Sequence, residues 1–476
     1  MAYYNRAFFV ILVGSFAACA GFHFVQPAAA REGTVLIDEY FAPGDEANQV
    51  DYEKEEAESS AGAKIMTLNP PGPAAADKTT DPKKEGESAE MIPVEEKPSA
   101  GAKEHGDSRS GDPPRAEPAD VPLTPLSEDL LRLRAEVRNT VGECFRHRLD
   151  TENFTAADLL NVCLAYGCDA EVRDMSREGR GEPVNAFVCL CWNLPSAGFE
   201  LLRLDNRGEI IPRVGYGYQQ YPGQFLAVLA LARVSEEYPI RVGKKLGKVS
   251  DLVEYEKRSC RAGMDQSMKL IGLFRYVTDD KPWKNDLGET WTKERLIEEE
   301  LNRAQMYLPN GGLNHLIGLS YALDRRTRRD KPMTGEFGRA KNYIQEYITY
   351  AVKLQDADGS WHPGFFEYQG KGGSVESRLR STGFTLDWLV TCLSDEQLRS
   401  EPVTKAVKYV TSGLNRVHAQ RSVDFTSSRA IQGRMHAIRA LVAYDTRVFQ
   451  PFDEPPPETE EPGPDDKTVF LAPPSR

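Results

Sequence analysis

The chain has 476 residues and a formal net charge of −13, yet its acidity is confined to two segments. Residues 31–125 carry a net charge of −12 and residues 450–476 one of −5, which leaves residues 126–449 slightly basic at +3. The acidic segments favour solubility and argue against nucleic acid as a partner of the whole chain.

Residues 1–30 have the pattern of a secretion signal. Arg6 supplies a positive start, residues 7–25 are largely apolar, and the three alanines at 28–30 fit a small-residue cleavage site. Two other interpretations remain open, because the apolar run is just long enough for an uncleaved membrane anchor and Cys19 resembles a bacterial lipoprotein acceptor. All three predict an exported chain, periplasmic, extracellular or anchored facing outside the cytoplasm, which meets a membrane only through this segment and only if the segment is not cleaved.

Residues 31–125 and 450–476 are predicted to be a disordered acidic linker and a disordered tail. The linker is rich in Ala, Pro, Glu, Ser and Lys and has almost no aromatic residue after Tyr52. Such a composition cannot bury enough apolar surface to offset the entropy of ordering. As a spacer, the linker would have an end-to-end reach of roughly 50–60 Å.

The cysteines predict neither a metal site nor a cofactor. Seven remain after residue 30, an odd number that leaves at least one unpaired in an exported protein. Cys163 and Cys168 could close a small loop, whereas Cys189 and Cys191 lie in an apolar segment that predicts buried thiols. A zinc site needs paired two-residue spacings with further ligands nearby, and the sequence offers none.

Residues 126–449 predict one large all-α domain. One kind of helix has a single apolar stripe, as at Ile344, Tyr347, Ile348, Ala351 and Val352, which are spaced i, i+3, i+4, i+7 and i+8. The other kind is apolar nearly all round and must therefore be buried on all sides. Their alternation predicts an α/α toroid, a double ring of about five to six helix pairs with the second kind inside.

The predicted boundaries follow this division. The half-polar helices are residues 246–260, 291–307, 335–355 and 401–417. The all-apolar helices are residues 225–232, 264–277, 313–323, 381–393 and 430–444, with residues 184–192 as a sixth candidate. Glycines lie near four of the inner starts, at Gly223, Gly263, Gly312 and Gly383.

A short motif supports the toroid. Its residues are Gln355, Asp358, Gly359, Ser360 and Trp361. They resemble the Gln…Gly-x-Trp repeat of the α/α-toroid superfamily, which includes squalene and oxidosqualene cyclases, protein prenyltransferase β-subunits and complement-type thioester domains. The resemblance implies that the glutamine and the tryptophan brace the joint between an outer and an inner helix.

The chemistry of that superfamily does not carry over. The acid motif Asp-x-Asp-Asp of the cyclases is matched only by residues 277–280, where Val277 replaces the first aspartate. The Asp-x-Cys zinc ligands of the prenyltransferases are missing, and the thioester motif Cys-Gly-Glu-Gln has only Gly142-Glu143-Cys144 as a partial counterpart. Fold alone does not determine function.

The toroid nevertheless predicts where a site should lie. Its inner helices run in one direction, so their N-termini meet at one end of the axis and form a ready anion site. The segments at that end carry amide, aromatic and charged side chains. The candidate ligand-binding residues are Tyr216, Tyr218, Gln220, Asp265, Asn314, Glu376, Arg378, Arg380 and Arg434, and the candidate catalytic residues are His315 and His436.

Three functions remain open. The favoured one is a binding or scaffold domain at the cell envelope, with an anionic small molecule or a glycan as its partner. The alternative is a lyase or hydrolase of acidic polysaccharides. A lyase would use His315 or His436 as the base and Arg378 or Arg434 to stabilise the carboxylate, and a hydrolase would need two carboxylates. A terpene cyclase that lacks the usual acid motif comes third.

Overall fold

The structure is a computed structural model that describes residues 125–303, 308–419 and 428–453. The predicted leader, the linker up to residue 124 and the tail from residue 454 lie outside the described residues. The described part is mostly helical, as predicted. Within it, no helix combines the length and the apolar character needed to cross a bilayer.

Twelve α-helices lie within the described ranges. In chain order they are α1 (Glu128–Arg146), α2 (Ala156–Tyr166), α3 (Ala186–Cys191), α4 (Gln224–Leu231), α5 (Val249–Arg258), α6 (Ser267–Tyr276), α7 (Lys293–Leu301), α8 (Leu313–Thr327), α9 (Glu336–Leu354), α10 (Val375–Cys392), α11 (Glu401–Ala419) and α12 (Ser428–Tyr444). Local capping defines several starts. The Thr155 and Asp158 side chains form a capping box at α2, and Ser374 caps α10.

Four two-stranded antiparallel hairpins join some of these helices, and the all-helical prediction missed them. They are β1–β2 (Glu171–Asp174 and Glu182–Asn185), β3–β4 (Leu202–Leu204 and Ile210–Pro212), β5–β6 (Pro239–Val242 and Lys245–Lys248) and β7–β8 (Trp283–Lys284 and Thr290–Trp291). Strand β6 takes the first residues of the helix predicted at 246–260, so α5 begins only at Val249.

Six helices, which we call the central series, contact one another in order. Helix α2 packs against α4, α4 against α6, α6 against α8, α8 against α10, and α10 against α12. Helix α12 also packs against α2, so the contacts return to the first member. Helices α1, α5, α7, α9 and α11 each contact one or two members of this series.

Burial separates the two kinds of helix as the sequence predicted. In the central series, every residue of α4 from Gln224 to Ala230 is buried, and so is every residue of α6 from Ser267 to Phe274. Helix α9 instead buries one face, which includes Ile344, Tyr347 and Ala351. Val352, which was predicted to lie on this stripe, is 43% exposed, because it lies at the edge of the buried face. The central helices therefore lie inside the hydrophobic core, and the others cover it.

The first member of the central series was not predicted. Helix α2 (Ala156–Tyr166) occupies the position between α12 and α4. The sixth inner candidate, residues 184–192, forms only the six-residue helix α3, which packs against α2. The polar residues Asp158 and Asn161 are both buried on α2, and they interrupt the all-apolar pattern by which the other members were found.

Helix α10 begins six residues earlier than predicted. It starts at Val375, so Gly383 lies in its middle and not near its start. A Cβ at Gly383 would lie 2.7 Å from Cβ of Ala437 on α12. Glycine at this position therefore permits the close approach of α10 and α12.

The motif residues Gln355–Trp361 form a turn, which we call the motif turn, and this turn joins α9, α10 and α11. The Trp361 indole N–H donates to the Ala351 carbonyl of α9 at 2.8 Å, and the Ser381 hydroxyl of α10 donates to the Trp361 carbonyl at 2.8 Å. The Gln355 amide N–H group donates to the carbonyls of Gly359 at 3.0 Å and Pro402 at 2.9 Å. One turn thus joins three helices through buried and partly buried hydrogen bonds.

The described chain extends four residues beyond the predicted domain end at 449. Residues Gln450–Phe452 form a 3-10 turn, and the Asp453 carboxylate pairs with the Arg138 guanidinium of α1 at 2.7 Å. The described fold therefore includes the first residues of the segment that was predicted to be a tail.

Candidate functional site

Four polar side chains converge where successive members of the central series begin. Tyr221 precedes α4, Asp265 precedes α6, Asn314 is the second residue of α8, and Arg380 lies in the second turn of α10. The pKa of Tyr221 is raised to about 12, mainly by burial and also by the Asp265 carboxylate, while the Arg380 guanidinium and the Asn314 side chain act to lower it. We call these four residues the polar cluster.

Arg380 is the cation of the polar cluster. Its guanidinium donates to the side-chain carbonyl of Asn310 and lies 5.5 Å from the ring centre of Phe365 and 5.9 Å from that of Phe384. Two aromatic rings and one amide therefore hold the cation beside the helix starts. A guanidinium fixed in this way is suited to carboxylate recognition, because its planar donors match two carboxylate oxygens.

Asn314 provides an acceptor that the described residues do not satisfy. The side chain is only 5% exposed, and it lies close enough to the Tyr221 hydroxyl to lower the pKa of that group. Its carbonyl oxygen is buried and has no hydrogen-bond partner among the described residues. A buried acceptor left unpaired costs about 1–3 kcal/mol, so this oxygen marks a place for a donor from a ligand or from water.

Gln220 lies next to the polar cluster and connects it to α12. Its side-chain carbonyl accepts a hydrogen bond from the Gln432 amide at 3.1 Å, and its backbone N–H donates to the Gln224 side chain at 2.8 Å. Gln432 lies in the second turn of α12. The predicted ligand residue Gln220 is therefore held in position by two other glutamines.

Asp265 has structural partners on both carboxylate oxygens. One oxygen accepts from the Ser267 backbone N–H at 2.9 Å and from its hydroxyl at 2.6 Å, at the start of α6. The other oxygen pairs with the Arg303 guanidinium at 3.2 Å. Asp265 therefore orders the start of α6, and its negative charge is balanced by Arg303.

His315 does not belong to the polar cluster. Its Nδ1 lies 2.8 Å from a carboxylate oxygen of Glu300 on α7, and its ring meets the Tyr343 ring of α9 edge-on, with the centroids 5.6 Å apart. Both His315 and Glu300 are at most 1% exposed. The side chain therefore faces the covering helices and packs within the core.

His436 forms a second buried contact with a carboxylate. Its Nδ1 lies 2.8 Å from Asp387 on α10, and the Arg439 guanidinium of α12 bonds the other oxygen of the same carboxylate. The imidazole stacks on Phe384 with the ring centroids 3.6 Å apart. Burial lowers the pKa of His436 below its ordinary value of 6.5, although Asp387 acts in the opposite direction, so the imidazole is neutral at neutral pH.

The other predicted charged residues lie apart from both histidines. Arg378 pairs with Asp358 of the motif turn at 2.8 Å and stacks over the Tyr409 ring at 5.2 Å. The guanidinium of Arg434 lies near the Glu376 carboxylate, and burial lowers the pKa of Arg434 despite that charge. The contacts described for Arg378 and Arg434 are with Asp358, Tyr409 and Glu376 rather than with the histidines, and they do not assemble the predicted lyase pairings.

Tyr216 and Tyr218, which were predicted to bind a ligand, lie in the loop before α4 and pack against Phe199. Tyr216 is 84% exposed and meets the Phe199 ring at a centroid distance of 5.8 Å, and Tyr218 meets the same ring at 5.3 Å. The Arg213 guanidinium lies 5.6 Å from the Tyr218 ring centre. These contacts pack the loop against Phe199 rather than direct the rings toward the polar cluster.

The described cysteines are all free thiols. Cys168, predicted as a loop-closing partner of Cys163, donates instead to the Ala232 carbonyl at 3.1 Å. Burial raises the pKa of Cys144, Cys163, Cys189, Cys191, Cys260 and Cys392, which makes these thiols poor nucleophiles. Among the described residues, no group of three or more His, Cys, Asp or Glu side chains is arranged to hold a metal ion.

Some residues around Arg380 and around His436 could not be assigned from sequence. Asn310 and Phe365 contact Arg380 only because loops bring them there, and nothing in their local sequence indicates this. Asp387 did carry a signal, since it is a single carboxylate within the apolar stretch Phe384–Val390. A lone charge inside a buried helix needs a partner, and here His436 and Arg439 provide it.

No protein-family model matches this chain, and no curated protein is significantly similar to it. The roles assigned to its residues therefore rest on their own contacts.

Proposed function

We propose that residues 126–449 form an α/α toroid that acts as a binding or scaffold domain and takes an anionic small molecule or an acidic glycan at the polar cluster. Two observations support the toroid. The contacts of the central series return from α12 to α2, and the motif turn joins α9, α10 and α11 through Gln355 and Trp361, as in the superfamily that the motif resembles.

The observation that carries the binding proposal is that the polar cluster contains both a cation, the Arg380 guanidinium, and an acceptor without a donor, the Asn314 side-chain carbonyl. A guanidinium has five N–H donors, so Arg380 can bind a ligand carboxylate in addition to its partners within the chain, which include Asn310. The buried Asn314 carbonyl needs a donor, and a sugar hydroxyl supplies one. Carboxylate and hydroxyl groups occur side by side in uronic acids, which makes an acidic glycan the best chemical match.

Binding is favoured over catalysis because the two histidines are engaged in helix packing. His315 is bonded to Glu300 and His436 to Asp387, and all four side chains are buried. Arg378, which was predicted to stabilise the substrate carboxylate of a lyase, is ion-paired with Asp358 of the motif turn. A lyase needs a base and a cation that reach one substrate carbon, and these residues serve separate contacts.

The binding test compares Arg380→Gln with the parent protein. We expect the full chain to bind uronic-acid oligomers more tightly than neutral oligomers of equal length, as measured by calorimetry. Loss of a hydrogen bond between charged groups costs about 1.5–3 kcal/mol, so Arg380→Gln should weaken binding about 10- to 100-fold. The control Arg416→Gln, on an exposed position of α11, should leave it unchanged. Equal losses in both variants, or no preference for uronates, would contradict the proposal.

A lyase of acidic glycans remains the second candidate, because one observation favours it. The Nδ1 of His436 is held by Asp387, and its pKa is lowered by burial. An oriented neutral imidazole is the form that a general base requires. This candidate predicts unsaturated products from uronate polymers, seen by their ultraviolet absorbance and lost in His436→Gln. The binding proposal predicts no product from either protein.

The proposal places the domain outside the cytoplasm, either free or held by its N-terminus. The support is the composition of residues 1–30, with Arg6, the apolar stretch and the alanines at 28–30. Mass analysis of the mature N-terminus tests it. A chain that begins at Arg31 indicates cleavage, an intact Met1 in the membrane fraction indicates an anchor, and an intact Met1 in the cytoplasm contradicts export.

A further inference from the structure

A cavity lies where α2 and α12 finish, at the opposite ends of these helices from the polar cluster. Its volume is about 680 Å³, within the range of roughly 300–1,000 Å³ that is typical of small-molecule sites. Helix α1 forms one wall, the end of α2 and the β1–β2 hairpin form another, and the end of α12 closes it. Its lining includes Val137, Val141, Phe145, Tyr166, Asp169 and Val442.

The walls are apolar, with one buried hydroxyl. Val137, Val141 and Phe145 come from successive turns of α1, and the Phe145 ring meets the Tyr166 ring edge-on at a centroid distance of 5.2 Å. The Tyr166 hydroxyl oxygen is buried and has no hydrogen-bond partner among the described residues. The cavity can therefore accept an apolar body and form one hydrogen bond with it.

The charged residues around the cavity make it electronegative. Asp169, Glu171 and Asp445 line it, against Arg138 as the one basic lining residue in the described chain. Arg148, which stacks over the Phe145 ring, balances the charge of Glu171. The Arg138 guanidinium is already held by Asp445 at 2.7 Å and by Asp453 at 2.7 Å. Asp169 is exposed and has no ion pair among the described residues. The C-terminal end of α2 adds partial negative charge.

We propose that this cavity binds an organic ammonium ion, a primary or secondary ammonium group carried on an alkyl or aromatic body. The ammonium N–H groups would donate to the Tyr166 oxygen and to the Asp169 carboxylate at the edge. The body would bury itself against Val137, Val141 and Phe145. An anion is disfavoured because the two cations beside the cavity, Arg138 and Arg148, are each paired with carboxylates, whereas Asp169 has no ion pair among the described residues.

Calorimetry on the full chain, below micelle concentrations, tests the ligand class. The probes are octylammonium, octyltrimethylammonium, octyl sulfate and octyl glucoside, which share one alkyl chain and differ in the head group. We expect octylammonium to bind at least about tenfold more tightly than the sulfate, because the lining is acidic. It should also bind more tightly than the trimethyl analogue, which has the same charge and no N–H donor.

Three variants test the location. Tyr166→Phe removes only the hydroxyl and should weaken octylammonium binding about fivefold. Gly142→Trp should abolish it, because Gly142 lines the cavity and a Cβ there would meet no atom within 4 Å, so the indole enters open space. Ala135→Trp, on an exposed position of the same helix, should bind like the parent. The proposal fails if the sulfate or the glucoside binds as well, if Gly142→Trp still binds, or if octylammonium does not bind the parent.

Discussion

Replacing Asp387 by alanine is expected to lower the free energy of unfolding by about 3–5 kcal/mol, because it leaves buried charged and polar partners without their counterpart. Asp387 is fully buried, and it accepts from His436 and Arg439 of α12. It is therefore the polar link between α10 and α12, two neighbours in the central series. Urea denaturation followed by circular dichroism measures the effect.

The matched control is Asp395→Ala. Asp395 pairs with Arg447 at 2.6 Å, but its side chain is 51% exposed, and exposed ion pairs contribute about 0–1 kcal/mol. The two variants thus remove the same group from a buried and from an exposed ion pair. If Asp387→Ala costs no more than Asp395→Ala, the buried pair does not hold α10 to α12.

Trp361→Ala is expected to destabilise the domain by a similar amount, about 3–5 kcal/mol. The side chain is 1% exposed, and its indole N–H is bonded to Ala351. Its removal leaves a cavity at the turn that joins α9, α10 and α11, and it leaves the Ala351 carbonyl without this donor. Thermal and urea unfolding of the full chain both report the loss.

Two further variants locate the source of that loss. Trp361→Phe keeps most of the buried ring but not the N–H donor, so it should cost clearly less than the alanine variant. Tyr216→Ala removes an aromatic ring that is 84% exposed and should change stability by no more than about 0.5 kcal/mol. A Trp361→Ala effect as small as that of Tyr216→Ala would contradict the structural role of the motif.

The helices of both kinds could be predicted because burial leaves a direct mark on composition. A stretch such as Phe225–Ala230 has no polar face, so it cannot lie at a surface, and the structure buries all of it. The motif at Gln355–Trp361 could be predicted for a similar reason, since its glycine adopts a φ of +89° and has the Lys405 backbone 2.4 Å from a would-be Cβ. Few other residues satisfy both conditions.

What escaped prediction depends on contacts between distant parts of the chain. Helix α2 was missed because its polar residues, including Asn161, hide a buried helix. His315 and His436 were grouped as catalytic candidates because both follow a predicted inner start. The sequence could not show that one faces Glu300 on α7 and the other faces Asp387 on α10. The direction in which a buried polar side chain points is set by its partner, not by its own position along the helix.

Hydrogen exchange at the amides of α2 tests the central claim most directly, because α2 closes the contacts between α12 and α4. In a closed ring, residues 156–166 are flanked on both sides, and their amides should exchange as slowly as those of α6, at residues 267–276. In an open row of helices, α2 would be an edge and would exchange much faster than α6. Such fast exchange in the intact protein would contradict a closed ring, and with it the site at the helix starts.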